Sequence, residues 1–438
     1  MEVYFASLGC DKNLVDTEHM LSLLKEEGFS FSEDPETADV LVVNTCCFIL
    51  DAKQESINTI LELAEYKKTG RAKALIVTGC LGERYREEIK ESLPEVDRVV
   101  DIRSQKEIAG ILKDALKVKE EAKKPKTGTA GRRVLTTPGL HSSFLKIAEG
   151  CDKACTYCII PKLRGPYKSV PMEDLIAEAE ELAAAGVKEL NLVAQETGKY
   201  GIDLYGEKRL PRLLDRLNEV EGLRWIRLLY CYPEEVDDGL IEAILRNDKV
   251  CHYLDMPIQH ASDRVLRAMG RKTGKQEIAD TVRRLREKIP DICLRTTLIA
   301  GFPGETEEDF EELLSFVREI GFDRLGCFPY SREEGTPAYS FRGQVPAAEK
   351  KKRAKRVIEC AAEISSKKNE RRVGTVERVL VEGYLPEEEV YLGRTYRDAP
   401  EIDNYVFFES ERELMTGELV NVRITGFDDY DVKGELSL

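Results

Sequence analysis

Histidine is scarce in this chain, with four in 438 residues. That scarcity removes Cys2His2 and other histidine-rich zinc frameworks as explanations for its twelve cysteines. No second Cys-x-x-Cys pair is present to close an all-thiolate zinc tetrahedron. Long apolar runs are also missing. The longest reach about a dozen residues, short of the roughly 20 that a bilayer-spanning helix needs, so no membrane partner is expected. The chain opens directly into a strand-like run rather than a charged n-region and apolar h-region, so no secretory signal is expected and the location is read as cytoplasmic. Positive charge is in deficit: 66 Lys and Arg stand against 81 Asp and Glu, a net of −15. Twelve cysteines in an acidic, leaderless chain point to a reducing compartment and metal ligation rather than disulfides. The length allows two to four domains with substantial cores.

The cysteines that are present are arranged with purpose. Cys151, Cys155 and Cys158 form one Cys-x-x-x-Cys-x-x-Cys loop, in IAEGCDKACTYCIIPKLRG, directly after a strand-like segment. Soft thiolates select zinc or iron–sulfur clusters. Three thiolates on a four-iron cluster leave one iron open for a small molecule. This spacing is the signature of a radical S-adenosylmethionine enzyme.

Three more cysteines share a second pattern. VYFASLGC ends at Cys10, DVLVVNTC at Cys46 and KALIVTGC at Cys80, and a helical stretch follows each, over 14–27, 50–66 and 83–92. Strand–helix alternation implies a parallel sheet with right-handed crossovers. Sites in such sheets lie beyond the carboxyl ends of the strands, where three such cysteines can converge on a second cluster. Buried cysteines also act as small hydrophobes, but that does not account for one register repeated three times. Strand register favours Cys46 as ligand and Cys47 as a packing residue. Cys231, Cys251, Cys293, Cys327 and Cys360 read as core residues.

SLGCDKNLVDTEHML, ADVLVVNTCCFILDAKQES, VTGCLGERY, EGCDKACTYCIIPKLRG, YLDMPIQHASDRVLRAMGR and AGFPGETEEDF together resemble the methylthiotransferases, over essentially the whole chain. SLGC-x-KNLVD, NTCCFI-x-x-AKQES and MPIQHAS resemble the branch that methylthiolates an aspartate of small-subunit ribosomal protein S-twelve. The resemblance implies two [4Fe-4S] clusters and two S-adenosylmethionine molecules per turnover. One methylates a sulfur held at the amino-terminal cluster, and the other starts a radical step at the β-carbon of the aspartate. An electron donor such as flavodoxin or ferredoxin, and a sulfur source, are implied as further partners. The alternative is methylthiolation of a tRNA adenosine by the same chemistry.

The expected architecture is α/β in three parts. Residues 1–125 form a parallel-sheet domain holding Cys10, Cys46 and Cys80, and residues 118–140 read as a linker. Residues 137–370 form a partial (β/α)6 barrel, with strands near 144–148, 188–194, 225–231, 252–258, 293–300 and 324–330. Helices are clearest at 172–185, 237–246, 275–288 and 306–319. Residues 373–438 form a small antiparallel β-barrel, the TRAM domain of the family. This last part carries 6 Lys and Arg against 16 Asp and Glu, a net of −10. Phosphate-gripping domains need the opposite sign, so a basic protein is the expected partner. The basic run 350–356 (KKKRAKR) reads as a helix face balanced by nearby acids.

The resemblance also implies contacts to S-adenosylmethionine. Tyr157 lies inside the cysteine loop beside cluster and adenine. Gln195, Glu196 and Thr197, after the second strand, match polar groups for the methionine ammonium. Arg295 offers a bidentate partner for a carboxylate. Ile299 matches an apolar adenine contact in a related Gly-x-Ile-x-Gly-x-x-Glu pattern, from which this chain departs by having Thr297 in the first position. Gln259 and His260 also fall at a strand end, but no role is assigned to them.

Overall fold

The computed structural model describes residues 1–117, 133–136 and 141–437. Most of the 118–140 linker lies outside them. Two compact units emerge. One comprises 1–136, 149–152 and 159–167, the other 137–148, 153–158 and 168–438.

The first unit holds a five-stranded parallel sheet: β1 (Glu2–Ser7), β2 (Ser30–Phe31), β3 (Val40–Thr45), β4 (Ala74–Thr78) and β5 (Arg98–Val99), in the order β2-β1-β3-β4-β5. Every residue of β3 and β4 is buried, as expected for central parallel strands covered on both faces. Their period of two divides the core. Leu41, Val43, Leu75 and Val77 pack on one face, and Val40, Val42, Ala74 and Ile76 on the other. Helices Asp11–Glu26 and Leu50–Thr69 follow β1 and β3, and Gly79–Arg84 follows β4. All three cysteines therefore fall at carboxyl ends of adjacent strands.

The second unit is built on six parallel strands in sequential order: β6 (Ser142–Lys146), β7 (Glu189–Val193), β8 (Trp225–Leu228), β9 (Val250–Asp255), β10 (Cys293–Ala300) and β11 (Arg324–Pro329). Helices Met172–Ala184, Asp238–Arg246, Lys275–Lys288 and Glu307–Ile320 occupy the expected places. This is a partial barrel, three-quarters of the eight-unit closed form.

The same unit ends in a closed five-stranded barrel of β12 (Val376–Leu385), β13 (Val390–Arg394), β14 (Val406–Glu409), β15 (Leu419–Phe427) and β16 (Val432–Leu436). It is not wholly antiparallel: β14 and β16 run parallel. A closed ring with an odd number of strands cannot alternate direction throughout, so at least one parallel pair is required. Among the described residues no helix is long and apolar enough to cross a membrane.

A lattice of buried ion pairs ties this small barrel to the larger one. Glu189, the first residue of β7, takes Arg227 at 2.8 Å and Arg394 at 2.6 Å, with all three side chains essentially unexposed. Arg324 meets Asp398 at 2.5 Å, and Tyr253 donates its hydroxyl to Asp403 at 2.6 Å.

Candidate active site

In the first unit, β1, β3 and β4 deliver Cys10, Cys46 and Cys80 to one place. Gly9 makes the approach possible: its φ is +93°, and a β-carbon there would stand 2.6 Å from Cβ of Cys46 and 3.0 Å from its Sγ. Asn13 fastens the loops by donating to the carbonyls of Leu8 (2.9 Å) and Thr45 (3.0 Å). Cys46 and Cys80 are buried and Cys10 is exposed. Burial pushes the Cys46 thiol up to about 11, and the neighbouring Cys10 and Cys80 add to the shift. Burial raises Cys80 too, while Arg164 opposes it. Metal ligation replaces those thiol protons, and an iron cluster removes the cost of bringing three thiolates together. Cys10 also caps the helix Asp11–Glu26, whose positive end suits an anionic cluster. The residues fit the group. Cys47 is fully buried in the apolar cluster with Leu41 and Ile60, as a packing residue is expected to be.

Arg164 completes this site, although no sequence motif points to it. Its guanidinium is buried against Asp16 (3.0 Å), Glu149 (2.9 Å) and Asn13 (2.5 Å), within electrostatic reach of Cys10 and Cys80. Six residues past Cys158, it belongs to the tail of the cysteine loop, so sequence distance from the first three thiols concealed it.

Cys151 belongs to the first unit, where its N–H donates to Gly165 O at 3.1 Å. Cys155 and Cys158 belong to the second, joined by a turn from Cys158 N–H to Cys155 O at 3.1 Å. The loop between them is stapled to the turn after helix Asp263–Ala268. Thr156 donates its N–H to Met269 O and its hydroxyl to Ala268 O, at 2.9 and 2.8 Å. Gly270, at φ +75°, lets the two backbones meet, since a β-carbon there would stand 2.6 Å from Ala154 O.

Beyond β7, Glu196 is wholly buried. It accepts N–H groups from Gly198 and Tyr232, both at 3.2 Å, and lies 3.6 Å from Lys153. Burial pushes its carboxyl up to about 8, with Lys153 opposing and Glu235 adding. Lys153, in the cysteine loop, also pairs with Glu234 (2.8 Å) and Glu235 (3.0 Å). Gln195 is half-buried. Thr197 is buried, its hydroxyl donating to Leu229 O at 2.8 Å, which fastens neighbouring strand ends. Tyr157 and Ile299 are half-buried and pack on one apolar cluster with Met269, Phe302 and Tyr330.

Arg295 sits elsewhere than expected of a ligand to small-molecule carboxylate. Its guanidinium is taken by Asp255 at 2.8 Å and Asp403 at 3.3 Å. The arginine with donor capacity to spare is Arg271. It is 7% exposed, stacks 4.0 Å over the Tyr232 ring and donates to Pro257 O at 2.8 Å. Its Nη1 has no hydrogen-bond partner among the described residues, and Cys155 and Tyr157 lie within its electrostatic reach. Only the packing of Gly270 against the cysteine loop brings it there. Among the described residues no three His, Cys, Asp or Glu close on a single ion; a four-iron cluster takes each thiolate on a different iron.

A partial parallel barrel with a three-cysteine loop after its first strand defines the radical S-adenosylmethionine class, and residues 145–317 match the Radical SAM superfamily. Residues 2–101 match Uncharacterized protein family UPF0004, and residues 373–436 the TRAM domain. The chain is 52% identical to the ribosomal protein uS12 methylthiotransferase RimO of Lachnoclostridium phytofermentans, over 99% of each chain. It is 49% identical to that of Acetivibrio thermocellus, over 99% of this chain and 98% of the other. It therefore belongs to the ribosomal protein uS12 methylthiotransferase family. Among solved structures, the radical S-adenosylmethionine methyltransferase TsrM of Kitasatospora setae shares the fold. The TM-score is 0.55 at 15% identity, covering 77% of this chain and 76% of that one.

Proposed function

We propose that the protein methylthiolates the β-carbon of an aspartate in ribosomal protein uS12 (S-twelve). The observation that carries this is near-complete coverage by RimO relatives in a chain that holds both cysteine sets. Cys151, Cys155 and Cys158 would hold one [4Fe-4S] cluster, and Cys10, Cys46 and Cys80 the other. With S-adenosylmethionine bound, the first cluster supplies one electron for reductive cleavage to a carbon radical, and the second carries the sulfur to be transferred.

The chain's own residues position and shield. Glu196 and Gln195 would take the methionine ammonium, and the open N–H of Arg271 its carboxylate, since Arg295 is held by Asp255. Tyr157 and Ile299 share the apolar cluster suited to adenine. Thr197 holds the strand end that presents Glu196. Lys153 balances the acids Glu234 and Glu235 behind the loop.

The acidic carboxy-terminal barrel supports a basic protein partner over tRNA. The 350–356 run agrees, since Lys352, Arg353, Lys355 and Arg356 all pair with glutamates. Mass spectrometry of ribosomal proteins and tRNA from a deletion strain tests the reading. Loss of one methylthio group from uS12 supports it, and loss from tRNA alone overturns it.

A further inference from the structure

The target side chain is itself an anion, and an acidic protein must hold that anion while a hydrogen atom is taken from the carbon beside its carboxylate. Reacting atoms have to be kept about 3–3.5 Å apart for such a step. A carboxylate taken out of water needs charge or hydrogen bonds in exchange. Most buried cations of the second unit are already committed: Arg227 and Arg394 to Glu189, Arg324 to Asp398, Arg295 to Asp255 and Asp403, Arg353 to Glu305.

Beside the carboxyl end of the last strand two more cations, the half-buried Lys350 and the exposed Arg332, have no carboxylate partner among the described residues. Lys350 is half-buried, with Nζ 4.7 Å over the Tyr330 ring and 3.0 Å from Tyr330 O. Among the described residues it has no carboxylate partner. The influences on its charge are burial and Arg332, which both lower its proton affinity. Arg332 lies 4.4 Å over the Tyr339 ring and donates to Tyr339 O at 2.8 Å, again with no ion pair among the described residues. The nearest acid in sequence, Glu333, is turned to Ser331 at 2.7 Å. Between the strand and these cations stands Tyr330. It is 4% exposed, and its hydroxyl makes no hydrogen bond among the described residues.

Such an arrangement is costly if nothing binds. A buried hydroxyl without a partner forfeits a hydrogen bond, and the half-buried Lys350 feels the charge of Arg332 with no carboxylate to offset it. A carboxylate relieves all three groups at once. The position also suits the reaction. Tyr330 packs in the same apolar cluster as Tyr157 and Ile299, and at Gly301, past the end of β10, a β-carbon would stand 2.4 Å from Cγ of Lys350.

We propose that Lys350 and Arg332, with the Tyr330 hydroxyl, bind the carboxylate of the target aspartate and so select aspartate over asparagine. This rests on the uS12 reading above. Arg271 is a separate position, beside Cys155, so the two anions of the reaction have separate cationic partners.

The test uses cluster-reconstituted full-length protein and purified uS12, native or with the target Asp→Asn. In wild type, native uS12 is expected to bind more tightly than the Asn form. Combined Lys350→Met and Arg332→Gln should weaken native uS12 binding roughly tenfold or more, as loss of charged partners does. Binding of the Asn form should stay unchanged, and Lys350→Arg alone should restore most of the affinity. S-adenosylmethionine affinity and deoxyadenosine formation without uS12 should match wild type. Equal affinity of wild type and double variant for native uS12 overturns the proposal, as does equal weakening toward both forms. Loss of S-adenosylmethionine affinity would reassign the cations to its carboxylate and overturn it as well. Failure of wild type to modify native uS12 sinks the uS12 reading instead.

Discussion

Glu189 and Arg394 stand 205 residues apart in sequence and 2.6 Å apart in the fold, both buried. The carboxylate also holds Arg227. This pair fixes the carboxy-terminal barrel to the base of the radical barrel, and it can be probed directly. Glu189→Gln leaves two buried guanidinium groups short of charge, and the expected loss is about 3–5 kcal/mol by chemical denaturation. The two arginines hold the Glu189 carboxyl near 2 against burial, which opposes them. Its folded value is depressed, so its stabilisation is present above the unfolded value and lost as pH falls through about 4.5 toward 2. The acid limb of the stability profile is expected to flatten in Glu189→Gln; an unchanged profile would count against the pair.

Iron content tests the two-cluster assignment. Reconstituted protein is expected to carry two four-iron clusters, and the triple Cys151/Cys155/Cys158→Ala variant one. Iron and sulfide analysis with Mössbauer spectra reads the number. Stoichiometric zinc in that variant would contradict the assignment.

The roles of the two sites separate by product. Cys10, Cys46 and Cys80→Ala is expected to abolish methylthio product while deoxyadenosine still forms, measured by chromatography. Cys47→Ala is expected to be mild, since that thiol is buried among Leu41, Ile60 and Leu63. Loss of the amino-terminal cluster in Cys47→Ala would move the ligand by one residue.

Glu196 carries a pH signature. With its carboxyl pushed up to about 8 by burial, the ionised form that pairs with an ammonium gains population as pH rises toward 8. S-adenosylmethionine affinity by calorimetry is expected to rise over that range, and Glu196→Gln to bind more weakly with a flat profile. The same raised value costs the ligand-free fold stability as pH climbs from about 4.5 through about 8, because ionising the buried group is disfavoured. A wild-type affinity independent of pH would remove Glu196 from the ammonium site.

Glu387, Glu388 and Glu389 are exposed on the turn joining β12 and β13. Their replacement by Lys is expected to slow association with uS12, most at low salt, because exposed charges are screened over about 8–10 Å at physiological ionic strength. Stopped-flow binding across a salt series reads this. Equal rates for variant and wild type at low salt would end the docking idea.

Sequence spacing alone places Cys10, Cys46 and Cys80 at strand ends and Cys151, Cys155 and Cys158 after the first barrel strand, and it gives the strand–helix alternation and nearly every element of the radical barrel. These depend on local spacing: a thiol placed after an apolar strand is carried to the strand's carboxyl end whatever the rest of the chain does. Tertiary structure decided which charges meet. Arg295 resembled a free carboxylate ligand until Asp403, 108 residues on, was placed against it. Arg271 gained its place beside Cys155 only through the turn packed on the cysteine loop. The acids of the last domain, equal in a count of charge, include Glu382, Asp398 and Asp403, which hold arginines of the interior, and Glu387, Glu388 and Glu389, which face water. Periodicity records which face of an element is buried, whereas an ion pair between distant segments exists only once the chain has closed on itself.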